Sequence, residues 1–264
     1  MNKALFGRYW PSDSFVHSLD ARVKITIAFI MVVVLLLASN WASMGFCVLC
    51  VAGFFVASKI SPLEAARSIL PLLFIVILTA IFNIAYVDTG QVLIDFGWIN
   101  ITTGGLDSAA FLSVRLVLLL LMGSLLTMTT TTFDITFGIE EILSPLTAIK
   151  VPVHEFAFVV STALGFLPQL AEEFESIRIA QEARGAKLAT TPLKGARAFT
   201  SLMTPMFASI FRHADTLALA MDARCYVPGA ERTRLRPSHL GARDFIALVV
   251  TAAICVSVAL LRCL

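Results

Sequence analysis

The sequence predicts an all-α membrane protein with about five transmembrane helices and a cytoplasmic helical domain between the fourth and the last. Three observations predict it. Only 14% of the 264 residues are charged against 58% hydrophobic, with a mean hydropathy of +0.87, whereas soluble domains carry about 25% charged residues. Apolar runs of membrane-crossing length fill the first half and recur once near the C-terminus. Between them lies one long polar interval, Thr129 to Arg243, in which helical periodicity persists.

Taken in order, residues 1–24 read as a cytoplasmic N-terminal segment, polar and turn-rich from Gly7 to Asp20, with Arg22 and Lys24 at the edge of the first apolar run. It lacks the apolar core and cleavage site of a secretory signal. Residues 25–129 read as a four-helix transmembrane region. Ile25 to Ala57 is nearly all apolar, which is too long for one untilted span of about 20 residues. A tight hairpin at Ser39-Asn40 is therefore expected; one long tilted helix is the alternative. Ser61-Pro62-Leu63-Glu64 resembles a capping box with proline at the first helical position, leading to a span from Ile69 to Tyr86. Asp88 to Gly105 reads as a loop without lysine or arginine, and the Asn100-Ile101-Thr102 sequon within it is discounted. Ala109 to Met128 is the fourth span. It carries Arg115, a charge that is costly in a membrane unless paired or snorkelling.

Residues 130–243 form the helical domain and 244–264 the last span. Phe156 to Leu167 is apolar for 12 residues, a length suited to a buried or interfacial helix rather than a crossing. Thr191-Pro192 and Thr204-Pro205 each read as an N-cap followed by proline at N1. With the hairpin, all 20 lysines and arginines except Arg115 and Arg262 fall on one side, which the positive-inside rule makes cytoplasmic. The arginine-rich stretch from Arg232 to Arg243 fits an anchor at an anionic lipid surface.

Two stretches of the polar interval end alike, Ala183-Arg184-Gly185 and Ala223-Arg224-Cys225, and the 40-residue offset extends along both helices. Leu170, Phe174, Ile177, Gln181 and Arg184 step by 4, 3, 4 and 3, as do Ile210, Ala214, Leu217, Met221 and Arg224. Each helix thus presents a mostly apolar stripe finishing in one guanidinium. Arginine in a last turn and glycine beyond it are ordinary C-terminal features. Capping does not require the arginine to continue the apolar face, however. The pair therefore reads as two parallel amphipathic helices that dock into partner grooves, each charged tip meeting a carboxylate there.

Enzyme chemistry is missing. No G-x-x-x-x-G-K-[ST] binds nucleotide. His154-Glu155 opens like H-E-x-x-H, but Phe158 stands where the second zinc ligand belongs. Cys47 and Cys50 lie in an apolar helix and read as packing residues. Glu140 and Glu141, about 100° apart on a helix, read as a solvated face. No span contains aspartate or glutamate, which argues against a proton- or sodium-coupled carrier. A stand-alone channel or carrier using Arg115 is the alternative reading, and a hydrolase around His154 and Glu155 is a remote third.

The twin motifs between the fourth and last spans resemble the transmembrane T component (EcfT family) of energy-coupling factor ABC-type transporters. Gly7-Arg8-Tyr9-Trp10-Pro11, Asp13-Ser14, His17, Leu19-Asp20 and Arg22 are similar to that family, especially its shared-module type. Arg212-His213-Ala214-Asp215 and Arg232-Thr233-Arg234 are similar to it as well. Cys225 departs from the family's glycine, and Ala21 from a proline. The resemblance implies a non-catalytic subunit of a bacterial inner membrane, without cofactor, metal or nucleic acid. Its implied partners are the lipid bilayer, two cytoplasmic ABC-type ATPases and a small S component that captures a vitamin or metal ion. Ala183, Arg184, Gly185, Ala223, Arg224 and Cys225 are then the ATPase-coupling residues.

Overall fold

The computed structural model describes residues 10, 12, 14–87, 89–95, 100–185, 192–227, 229 and 241–263. Helix α1 (Ala21–Leu37) starts where the Asp20 side chain accepts from the Arg22 N–H, and ends at an extended Ala38. Helix α2 (Trp41–Ser58) starts at once, with Asn40 and Ser43 forming a reciprocal capping box. The expected hairpin is therefore present, because two short polar residues there satisfy the new helix's orphan N–H groups.

Ser61 accepts from the Leu63 N–H and Pro62 opens α3 (Pro62–Ile69). Glu64, the other half of the expected box, pairs with Arg67 at 3.3 Å instead. A 3-10 turn at Leu70–Leu72 passes the chain into α4 (Leu73–Tyr86). The expected loop that follows contains two short antiparallel strands, β1 (Val92–Asp95) and β2 (Asn100–Thr102). Helix α5 (Thr103–Thr129) begins at a Thr102 cap, earlier than Ala109, because that side chain accepts from the Gly105 N–H.

Helix α6 (Thr132–Leu143), a 3-10 turn (Ser144–Ile149), α7 (Val153–Ala183), α8 (Pro192–Ala223) and α9 (Ala242–Cys263) complete the chain. Two expectations change here. Phe156 to Leu167 is part of the 31-residue α7, which continues through Pro168, so a length argument from the apolar stretch alone fails. Pro205 lies inside α8 rather than at a helix start. A proline removes one hydrogen bond and kinks a helix, and the flanking turns are long enough on both sides to continue. Pro192 does open α8, while its expected cap, Thr191, lies outside the described residues.

The chain forms two compact units, Met1–Ile142 with Arg236–Leu264, and Leu143–Leu235. In the first, α1 is central. Met31 and Leu35 are fully buried, packed with Met44, Cys47 and Val51 of α2, Met122 of α5 and Val258 of α9. Burial of Cys47 fits its reading as a packing residue. Helix α4 runs beside α5 and exposes Phe74, Ile77, Ile81 and Phe82, an apolar face suited to lipid. Among the described residues five helical stretches are long and apolar enough to cross a membrane: Trp41–Ser58, Leu63–Tyr86, Thr103–Thr129, Val153–Ala183 and Ala242–Arg262. The number agrees with expectation; the membership differs, since α7 qualifies and the 17-residue α1 falls short on length.

Candidate functional site

The second unit is built on α7 and α8. Arg184 is the C-cap of α7. Beyond it Gly185, at φ +86°, donates its N–H to the Glu182 carbonyl at 2.9 Å. Helix α8 ends the same way. Arg224 follows Ala223, Cys225 donates to Asp222 at 2.9 Å, and Tyr226 donates to Met221 at 3.0 Å, the bond pattern of a Schellman cap. Cys225 takes the glycine's role at φ +53°. The departure from glycine therefore leaves the cap in place, with a Cβ held in a left-handed conformation.

All six predicted site residues, Ala183, Arg184, Gly185, Ala223, Arg224 and Cys225, are exposed. Neither Arg184 nor Arg224 has an ion pair or side-chain hydrogen bond among the described residues. Arg178, one turn and a half earlier on α7, is by contrast held by Glu175 at 2.5 Å and Glu182 at 2.6 Å.

The stripes behind the tips differ from expectation. Leu170, Phe174, Ile177 and Gln181, and Ile210, Leu217 and Met221 across from them in the repeat, are half-buried rather than free. Glu173, on the same side of α7, accepts from the Ser209 hydroxyl of α8 and lies 3.2 Å from His213 Nε2. Phe166 stacks on the His213 ring at 6.3 Å, and Phe158 meets Tyr226 at 5.2 Å. These pairings run in opposite chain directions, so α7 and α8 are antiparallel, not parallel. Arg184 and Arg224 consequently point from opposite ends of the hairpin, roughly 40 Å apart at 1.5 Å per residue along α7.

Sequence reading missed Glu173 and Ser209, and named His213 only within the family resemblance, without its partner on α7. A signal existed, since Glu173 and His213 stand at the same 40-residue offset as the arginines.

In the first unit, the N-terminal residues close one end of the bundle. Trp10 donates its N–H to the Met128 carbonyl at 3.0 Å and Ser12 its hydroxyl to the Ser58 carbonyl at 3.2 Å. The Lys24 ammonium donates to His17 O and Thr129 O. Three of these bonds satisfy carbonyls that α2 and α5 leave unpaired at their C-termini; the fourth acceptor, His17 O, lies in the N-terminal segment itself. His17 is fixed by Ser14 at Nδ1, 2.7 Å, and by the Trp10 carbonyl at Nε2, 3.0 Å. Asp244 accepts from the Asp20 N–H at 2.9 Å and from Gly241 at 2.8 Å, which ties the starts of α1 and α9. The motif residues Gly7, Arg8, Tyr9, Pro11 and Asp13, and Arg232 to Arg234, lie outside the described residues.

Two further readings are corrected. Glu140 is buried and Glu141 pairs with Arg22 at 2.6 Å, so this pair is a packing contact on α1 rather than a solvated face. Gly138 permits the approach: a Cβ there would meet Ile25 Cδ1 at 2.9 Å and the Ala21 backbone at 3.2 Å. Arg115 donates to the carbonyl of Ala38 at the end of α1 and lies 4.9 Å over the Phe111 ring. A helix C-terminus is a favourable place for a cation, and this explains the intramembrane arginine without a solute.

The sequence is similar to that of known proteins. The profile of the Cobalt transport protein family (CbiQ) matches residues 12–235. The energy-coupling factor transporter transmembrane protein EcfT of Clostridium kluyveri is 39% identical over 255 residues, covering 96% of this chain and 94% of the relative. That of Bacillus subtilis is 35% identical over 258 residues, covering 96% and 97%. That of Listeria innocua is 36% identical over 237 residues, covering 89% of each. With its apolar bundle and its hairpin of two arginine-capped helices, the chain belongs to the EcfT family, the multi-pass membrane components of energy-coupling factor transporters.

Proposed function

We propose that this chain is the energy-coupling subunit of an ABC-type importer, with no catalysis of its own. On this reading the α7–α8 hairpin lies on the cytoplasmic side of a bacterial inner membrane and docks two ATPase subunits. One observation carries it: two exposed arginines without partners among the described residues cap opposite ends of one hairpin. Each tip serves one ATPase, whose groove carries a carboxylate. A separation of roughly 40 Å suits two subunits better than one.

The Glu173–Ser209–His213 cluster makes the hairpin a single lever, so movement of either ATPase reaches both helices. The lever acts on the bundle, whose apolar α4 face meets an S component that selects the vitamin or metal ion. Lipid-facing side chains offer that component a surface on which it reorients.

Co-purification tests the docking. The tagged chain, co-expressed with its ATPase subunits, retains both. Arg184→Ala and Arg224→Ala each lose one, at a cost of about 2–5 kcal/mol for a desolvated charge pair. Retention of both ATPases by the double variant contradicts the proposal.

A further inference from the structure

The first unit carries a half-open pocket of about 350 Å³ between α1, α2, α5 and α9, at the end of the bundle where α1 and α9 start. Ile27, Phe54, Leu125 and Val250 line it, and its wall is almost wholly apolar. Apolar cavities of about 150 Å³ already take up small hydrocarbons.

Two residues give the space an address. Gly53 of α2 lines it, and a Cβ built there meets nothing within 4 Å. Without a side chain at this position the space reaches the α2 backbone. Lys24 of α1 also lines the cavity and is only 9% exposed. Its ammonium donates to two neutral carbonyls, His17 O at 2.9 Å and Thr129 O at 3.2 Å, which leaves a third N–H. No carboxylate lies within ion-pair distance among the described residues; Asp20, Asp134 and Asp244 act only through space. Buried charges are ordinarily paired.

We infer that this cavity holds one acyl chain of an anionic phospholipid, with the chain along Gly53 and the phosphate facing Lys24. The surrounding bilayer supplies such lipids, and basic pockets between spans are where anionic headgroups collect. The inference does not depend on the coupling role.

Phosphatidylglycerol with a photoactivatable diazirine in one acyl chain is the probe, added to the full-length chain in nanodiscs and read by peptide mass spectrometry. Label is expected on the α2 peptide containing Gly53 and on α9 around Val250. Gly53→Leu fills the space and lowers that labelling about tenfold, equivalent to ~1.4 kcal/mol of binding. Ala28→Leu, from α1, does the same if Gly53→Leu fails to fold. Lys24→Gln removes the preference over the matching phosphatidylcholine probe.

Cys50, which also lines the cavity, gives a reading on the unaltered protein: phosphatidylglycerol slows its alkylation in delipidated samples. Absence of label on these peptides, labelling undiminished by the filling variants, or Cys50 shielded equally without lipid overturns the inference. Equal labelling of the wild type by phosphatidylcholine, or labelling by a diazirine fatty acid alone, overturns the assignment to an anionic phospholipid.

Discussion

Glu173 of α7 and His213 of α8 stand 3.2 Å apart across the hairpin, and they share the 40-residue offset that relates Arg184 to Arg224. The repeat that produces two similar helices thus also supplies their lock. Glu173→Ala leaves the buried Ser209 hydroxyl and the half-buried His213 ring without their acceptor, at a cost of about 1–3 kcal/mol. Faster amide exchange in the middle of both α7 and α8 is the expected observation. Glu173→Gln, which still accepts from Ser209, recovers most of the protection.

Cys225 holds a left-handed conformation at φ +53° in the place where α7 uses Gly185. A side chain there costs about 1–2 kcal/mol. Cys225→Gly is expected to raise the melting temperature of the purified protein without weakening ATPase association. Cys225→Val lowers it, since a β-branched residue is worse still at positive φ.

Helix α6 packs on the start of α1 through Gly138. Gly138→Ala drives a methyl to 3.2 Å from the Ala21 backbone, and overpacking of this kind costs about 1–3 kcal/mol. The melting temperature falls, and the Arg22–Glu141 pair loosens with it. Charge exchange at that pair, Arg22→Glu with Glu141→Arg, recovers part of the loss from either single change.

Arg115→Met tests the carrier alternative. It leaves the Ala38 carbonyl without its donor and is expected to lower stability by about 1–3 kcal/mol. ATP-driven uptake by the assembled transporter keeps its substrate selectivity. A changed selectivity would show that Arg115 meets solute.

Much of this was legible in the sequence, for local reasons. Ser39-Asn40 interrupts a long apolar run, and short polar residues there favour a capped turn over one long tilted helix. The twin Ala-Arg tips follow from periodicity and one offset. What stayed hidden depends on distant partners. Glu140 and Glu141 look solvated until α6 folds onto α1 and Arg22, far away in the chain, arrives beside them. Thr204-Pro205 has the composition of a helix start, and only the helical turns already formed upstream place it in the interior. The antiparallel sense of α7 and α8, and with it the distance between the tips, required the cross-helix pairs.

ATP-dependent substrate uptake into proteoliposomes, with the chain reconstituted beside its two ATPases and an S component, tests the coupling role most directly. Arg184→Ala with Arg224→Ala is expected to lower uptake at least tenfold, the factor corresponding to about 1.4 kcal/mol, while each ATPase keeps its nucleotide binding. Uptake at the wild-type rate in that double variant, or by the chain alone without ATP, would contradict it.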